Sequence, residues 1–186
     1  MDKSYTDMQF PVDSKLSHEQ MESLDKILLI NEVKTIRERI IERIIAQLER
    51  ITTDNGYQSE IGVGRVFREK AVIEERNIPS IAIWELSERH RRNSFGGTVR
   101  ILMIKVEAIV QTPKDKHPAE ISNILLGDLE KALIMYDTTL DELIEDIQNT
   151  SAEITHFPPE QHLAGAIINF TIKYVTEWGN PYTQSE

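Results

Sequence analysis

A sustained alternation of apolar and polar positions runs from Arg100 to Thr112. Leu102, Ile104, Val106, Ala108 and Val110 are all apolar, while the positions between mix Ile101, Met103 and Ile109 with Lys105, Glu107 and Gln111. A period of two with one uniformly apolar face predicts a strand that lies on helices on one side and is partly wet on the other. Its length places it near the middle of a sheet. Pro113 ends it, because proline cannot donate to the ladder.

Upstream the period changes. Val33, Ile36, Ile40, Ile44, Leu48 and Ile51 recur at three- and four-residue steps, widened by Ile41 and Ile45, and predict a helix over 33–51 that Asn55-Gly56 closes. A second helix start precedes it: Ser17 is placed to cap, Gln20 to return the bond, and Leu16 with Met21 to staple. One helix from His18 to Ile51 would run roughly 50 Å, too long for a domain of this size. The stripe Met21, Leu24, Leu28 is also out of phase with the later one, which predicts a break near Asn31. Residues 1–16 show no period and suit an arm that docks on a neighbour or stays mobile.

The next elements are strands. Ser59–Arg68 is expected to be the first, with Ile61, Val63 and Phe67 on one side. Gly62-Val63-Gly64 lacks the third glycine and the following helix of a phosphate loop, so a bulge or close strand packing is expected there. A charged connection over 69–79 leads to a second strand, Ser80–Leu86, and residues Ser87–Thr98, with Gly96-Gly97, read as a long hairpin loop.

Beyond the central strand, Asp115 or His117 is placed to cap a helix with Pro118 in its first turn. Ile121, Ile124, Leu125, Leu129, Ala132 and Leu133 form its stripe, and Gly127 suggests close packing. Thr139–Ile147 predicts a short helical turn feeding a strand from about Ile147 to Phe157. After Pro158-Pro159 a last strand, Ala164–Trp178, alternates cleanly, with Ala166, Ile168, Phe170, Ile172, Tyr174 and Trp178 on one face. The order predicts an α+β two-layer sandwich: a mainly antiparallel or mixed sheet of about five strands with two main helices, plus an N-terminal helical extension. The expected organisation is an arm and extension over 1–30, one domain over 31–178 and a tail over 179–186.

Composition narrows the function classes. The chain has 186 residues, enough for one ordinary core, and its 40% hydrophobic and 28% charged content is that of a globular protein. A net charge of −10 argues against dedicated nucleic-acid binding. Without cysteine there are no disulfides and no thiolate metal sites. The N-terminal residues lack the features of a signal peptide, and no apolar run has the length of a membrane span, so a cytoplasmic protein without membrane contact is expected.

Candidate chemistry is sparse. Arg89, His90, Arg91 and Arg92 are a concentrated basic patch in an acidic chain, followed by Phe95. They are either the charges of a solvated loop or a contact with an acidic partner surface, for which arginine's planar fork is suited. His156 and His162, with Glu153 and Glu160, sit on either side of the Pro158-Pro159 turn and would form a metal site only if the two strands bring them together. No nucleophile elbow, phosphate loop or dinucleotide fingerprint occurs. No catalytic, cofactor or metal residue is assigned.

The chain from about Asn31 to Tyr182 resembles the bacteriophage tail terminator, or tail-completion, family. The likeness rests on the helix Val33–Ile51, the entry Ile78-Pro79-Ser80-Ile81-Ala82-Ile83, the central strand 100–112 with Pro113, and His117-Pro118 with the helix behind it. Thr139-Leu140, Ile144-Glu145-Asp146-Ile147, Tyr174 and Asn180-Pro181-Tyr182 complete it. The resemblance implies a non-enzymatic structural protein that forms a homo-hexameric ring on the finished tail tube, stops its polymerisation and offers a joint to the head's connector or stopper protein. It implies assembly in the host cytoplasm, then a place in the virion's neck, with DNA passing the bore unbound and no cofactor. On this reading Arg89, Arg91, Arg92 and Phe95 contact a partner. The alternatives are a small α+β enzyme or metal-dependent hydrolase, and a protein-binding adaptor.

Overall fold

Thr35 sets the start of the first helix: its side-chain oxygen accepts the Glu38 N–H at 3.1 Å. Helix α1 (Ile36–Leu48) comes next, and Ile36, Ile40, Ile41, Ile44 and Leu48 are fully buried. The computed structural model describes residues 33–69 and 75–185. The expected arm, the Ser17 cap and the break near Asn31 lie outside the described residues. The chain divides into two compact units between Lys34 and Thr35. The second unit holds the helices and strands described below.

Behind α1 a 3₁₀ turn, Thr53–Asn55, ends at Gly56. The strand expected over 59–68 is reduced to β1 (Val66–Arg68). Two local causes account for this. The N–H groups of Gln58 and Ser59 are taken by the Asp128 carboxylate, at 3.1 and 2.7 Å, instead of by a ladder. Gly62 and Gly64 then turn the chain with φ of 79° and 76°, so they are turn residues and not a bulge or a close-packing site.

β2 (Ser80–Arg92) and β3 (Gly97–Gln111) form one long hairpin whose turn is only Asn93–Gly96. The loop expected over Ser87–Thr98 is therefore mostly strand. Arg89, Arg91 and Arg92 pair with Ile101, Val99 and Thr98. Charge alone does not break a strand whose partner keeps its alternation.

Helix α2 (Pro118–Glu130) opens on His117, whose Nδ1 accepts the Ala119 N–H at 3.2 Å, and runs on through a π-helical turn, Lys131–Met135. Gly127 is exposed with open space beside it, so it does not mark close packing. The turn before β4 is not the expected helical one. Leu140, Asp141 and Glu142 have positive φ, and the Asp137 carboxylate holds them by accepting from the N–H groups of Thr139 and Asp141. β4 (Asp146–Thr155) and β5 (Leu163–Glu177) are the last two strands among the described residues. Residues 179–185, read as a tail, turn back on β5: Glu177 N–H donates to Thr183 O, and Pro181 O accepts from Ile36 N–H.

The fold is α+β, with a five-stranded mixed sheet in the order β1-β2-β3-β5-β4. β3 is its middle strand, as its length predicted. β1 runs parallel to β2 and the other pairings are antiparallel. One face carries the core. Ile104, Val106, Leu125, Leu129, Phe170 and Ile172, all on the apolar faces read from the sequence, are at most 1% exposed. Among the described residues, α2 packs mainly on β5, leaving the other sheet face to a mixed set that includes Trp84, Ile101, Met103, Lys105 and Lys173.

Candidate partner-binding surface

The hairpin end of the sheet gathers the features that bear on binding. Asn93 shapes the turn, its Oδ1 accepting the N–H groups of Phe95 and Gly97 at 3.1 and 2.7 Å. Gly97 has no room for a side chain, since an added Cβ would lie 2.9 Å from Val175. The turn is thus held from both sides, and it presents Phe95 with 93% of its surface exposed. A large apolar side chain left in water on an ordered turn is a feature that a partner would cover.

The basic residues do not act as one patch. Strand alternation places Arg89 and Arg91 with Ile101 and Val99 on the face away from the helices. Arg92 belongs to the other face, where its guanidinium stands 4.5 Å from the centre of the Trp178 ring. His90 is on that face too and pairs with Glu88. The structure therefore separates the residues the sequence had grouped: two arginines on the open face, one on an aromatic at the strand end, and Phe95 at the tip.

Beneath this end lies an ionic cluster centred on Glu88. Its carboxylate accepts from Tyr174 Oη at 2.6 Å and from Arg100 at 3.0 Å, and Arg37 of α1 stands 3.9 Å away. Burial pushes the Glu88 carboxyl up. Hydrogen bonds from Tyr174, His90 and Arg100 and the charge of Arg37 outweigh that effect and hold it below its ordinary value. Burial, then the hydrogen bond to Glu88, raises the Tyr174 hydroxyl far above the usual phenol range. Arg37 also reaches Glu85 at 2.8 Å, and Arg68 bridges Glu38 to Glu85. These ties join β2 to α1, β3 and β5 below the hairpin turn.

Sequence reasoning missed Glu88, Tyr174 and Trp178 as members of this region; Trp178, expected on the apolar face of the last strand, lies one residue past β5 and is 56% exposed. Glu88 was hidden in a charged run read as a loop. Tyr174 was read correctly as a core-facing residue, but its hydroxyl partner depends on the β2–β5 relation across β3, which no local pattern carries.

His156 and His162 are both exposed, and among the described residues no group of three or more His, Asp or Glu is arranged to hold a metal. A groove of about 710 Å³ beside His162 is lined by Ile78, Gln111, Thr112, Lys114, Glu160 and Leu163 among others. A smaller one of about 270 Å³ lies between Pro79, Val110, Ile121 and Ile124. Neither adjoins the hairpin end. No described helix is long and apolar enough to cross a membrane. No protein-family model matches the chain, and no curated protein matches it in sequence.

Proposed function

We propose that the protein is a structural subunit of a bacteriophage tail, one that closes into a ring on the end of the tail tube, stops its growth and meets the head's connector. The reading starts from the resemblance in element order, and the observation that carries it furthest is the hairpin end. Phe95, with Arg92 and Trp178 near it, stands on a braced turn and is suited to a partner with apolar and acidic groups. Six such contacts presented on a ring match the six-fold end of a tube, so that individually weak contacts act as one. The net charge of −10 supports passage of DNA through the bore, because like charges repel it.

Electron micrographs of the purified chain, alone and mixed with tail tubes, test this. The expected result is a six-fold ring, and tubes of fixed length with a ring at one end. Tubes that keep growing in the presence of the protein, with no density added at their ends, would refute the assignment.

A further inference from the structure

Among the described residues the sheet has two open edges. β1 covers β2 only at Ile81–Ile83, and among the described residues no strand pairs with β2 beyond that point. β4 is the last strand on the other side. An open edge offers unpaired backbone N–H and C=O groups to another chain. Each edge is also interrupted by a register shift, at Glu85/Ser87 in β2 and at Asn149/Ser151 in β4.

We propose that the β2 edge at Leu86–Arg92 pairs with the β4 edge of a second copy of this chain, antiparallel, with opposite charges facing across the junction. The closed six-fold form rests on the ring reading above, whereas the pairing itself needs only two copies.

Charge names the partner. Arg89 and Arg91 stand on the β2 edge strand and, among the described residues, neither is paired with a carboxylate. On the β4 side, Asp141, Glu142 and Asp146 are exposed and meet no cation among the described residues, while Glu145 is engaged by Lys173. Arg89 and Asp146 lie at the same level of the sheet. Arg89 pairs with Ile101, Ile101 with Lys173, and Lys173 with Asp146, so one cross-strand row runs from the basic edge to the acidic one.

Direction agrees. β2 is antiparallel to β3, β3 to β5 and β5 to β4, so β2 and β4 run opposite ways. A copy placed alongside by rotation about an axis along the strands therefore lays its β2 antiparallel to β4 without inversion or slip. The symmetric alternatives are disfavoured by the same charges. β2 against β2 sets arginine on arginine, and β4 against β4 sets carboxylate on carboxylate. What remains is a head-to-tail contact, the kind that closes into rings.

Native mass spectrometry and sedimentation of the full chain test the pairing, with folding of each variant checked by circular dichroism. The wild type should associate. Arg89→Glu with Arg91→Glu should weaken association about tenfold or more, and Glu142→Lys with Asp146→Lys should do the same. Mixing the two reversed proteins should restore it, because the basic edge of one then meets the acidic edge of the other. Should one variant fail to fold, the other reads the same junction from its opposite side. Unchanged assembly in either folded variant, or no rescue on mixing, overturns the pairing and leaves the ring reading standing. A wild type that stays monomeric at every concentration also overturns it, and the ring reading is then decided separately by the micrographs of tube ends.

Discussion

The hydroxyl of Tyr174 donates a 2.6 Å hydrogen bond to Glu88, joining β5 to β2 across the strand between them. Both side chains are nearly closed to solvent, with Tyr174 1% exposed and the Glu88 side chain 7%. Hydrogen bonds to an ionised group contribute about 1.5–3 kcal/mol. Tyr174→Phe should therefore lower stability by about that amount, measured by urea unfolding. An unchanged midpoint would show that the hydroxyl is not a brace for the hairpin.

The same cluster sets an acid limit. Glu88 is held below its ordinary value of 4.5, so the unfolded chain binds the Glu88 proton more readily than the folded one. Its contribution is fully present above about pH 4.5 and is lost as pH falls through the depressed folded value. Glu88→Gln should flatten the fall of stability below pH 4.5, read from unfolding midpoints in a pH series. An identical slope in the variant would place acid sensitivity elsewhere.

Asp128 of α2 ties down the segment before β1. Its carboxylate, on a residue only 5% exposed, accepts from the Gln58 and Ser59 N–H groups. Asp128→Ala leaves those donors without their partner, which costs about 1–3 kcal/mol. Hydrogen exchange of the Gln58 and Ser59 amides should quicken more than that of β3. Equal quickening throughout would mean only a global loss.

Leu125 lies in the middle of the α2 stripe and is fully buried. Leu125→Ala should cost about 2–5 kcal/mol, the range for large-to-small changes in a packed core. A loss inside the surface range of about half a kcal/mol would be incompatible with α2 lying on the sheet.

Periodicity made most of this fold legible. The even positions of β3, the α2 stripe and the β5 alternation each pointed to the core face, because burial on one side of a regular element imposes its repeat on the sequence. Failures came where side chains redirect the backbone. Asp128 removes 58–59 from the ladder, and Asp137 holds three residues at positive φ where the spacing of Leu140, Leu143 and Ile144 suggested a helix. The candidate surface was half legible. Its residues were named as a basic loop with Phe95, but their division between two faces follows from strand pairing, which a charged run does not announce.

Phe95 gives the most direct test of the proposed tube contact. It is 93% exposed, and the contacts that shape its turn come from the Asn93 side chain and from Gly97, not from its own ring. Phe95→Ser should thus leave stability within about half a kcal/mol of the parent, as for ordinary surface changes. It should also leave self-association intact, since Phe95 lies outside the Leu86–Arg92 edge. Capping of tube ends should fall, and the loss should depend little on salt because the missing contact is apolar. Arg92→Ser removes the charge over Trp178, a cation–π contact of about 0.5–1 kcal/mol at an exposed site. Its capping defect should shrink as salt rises, because screening weakens the same charge contact in the parent. Micrographs that count capped tubes over a salt series separate the two contributions. Capping by Phe95→Ser equal to the parent at every salt concentration would mean that the turn faces solvent in the assembled tail, and that the tube is met by another surface.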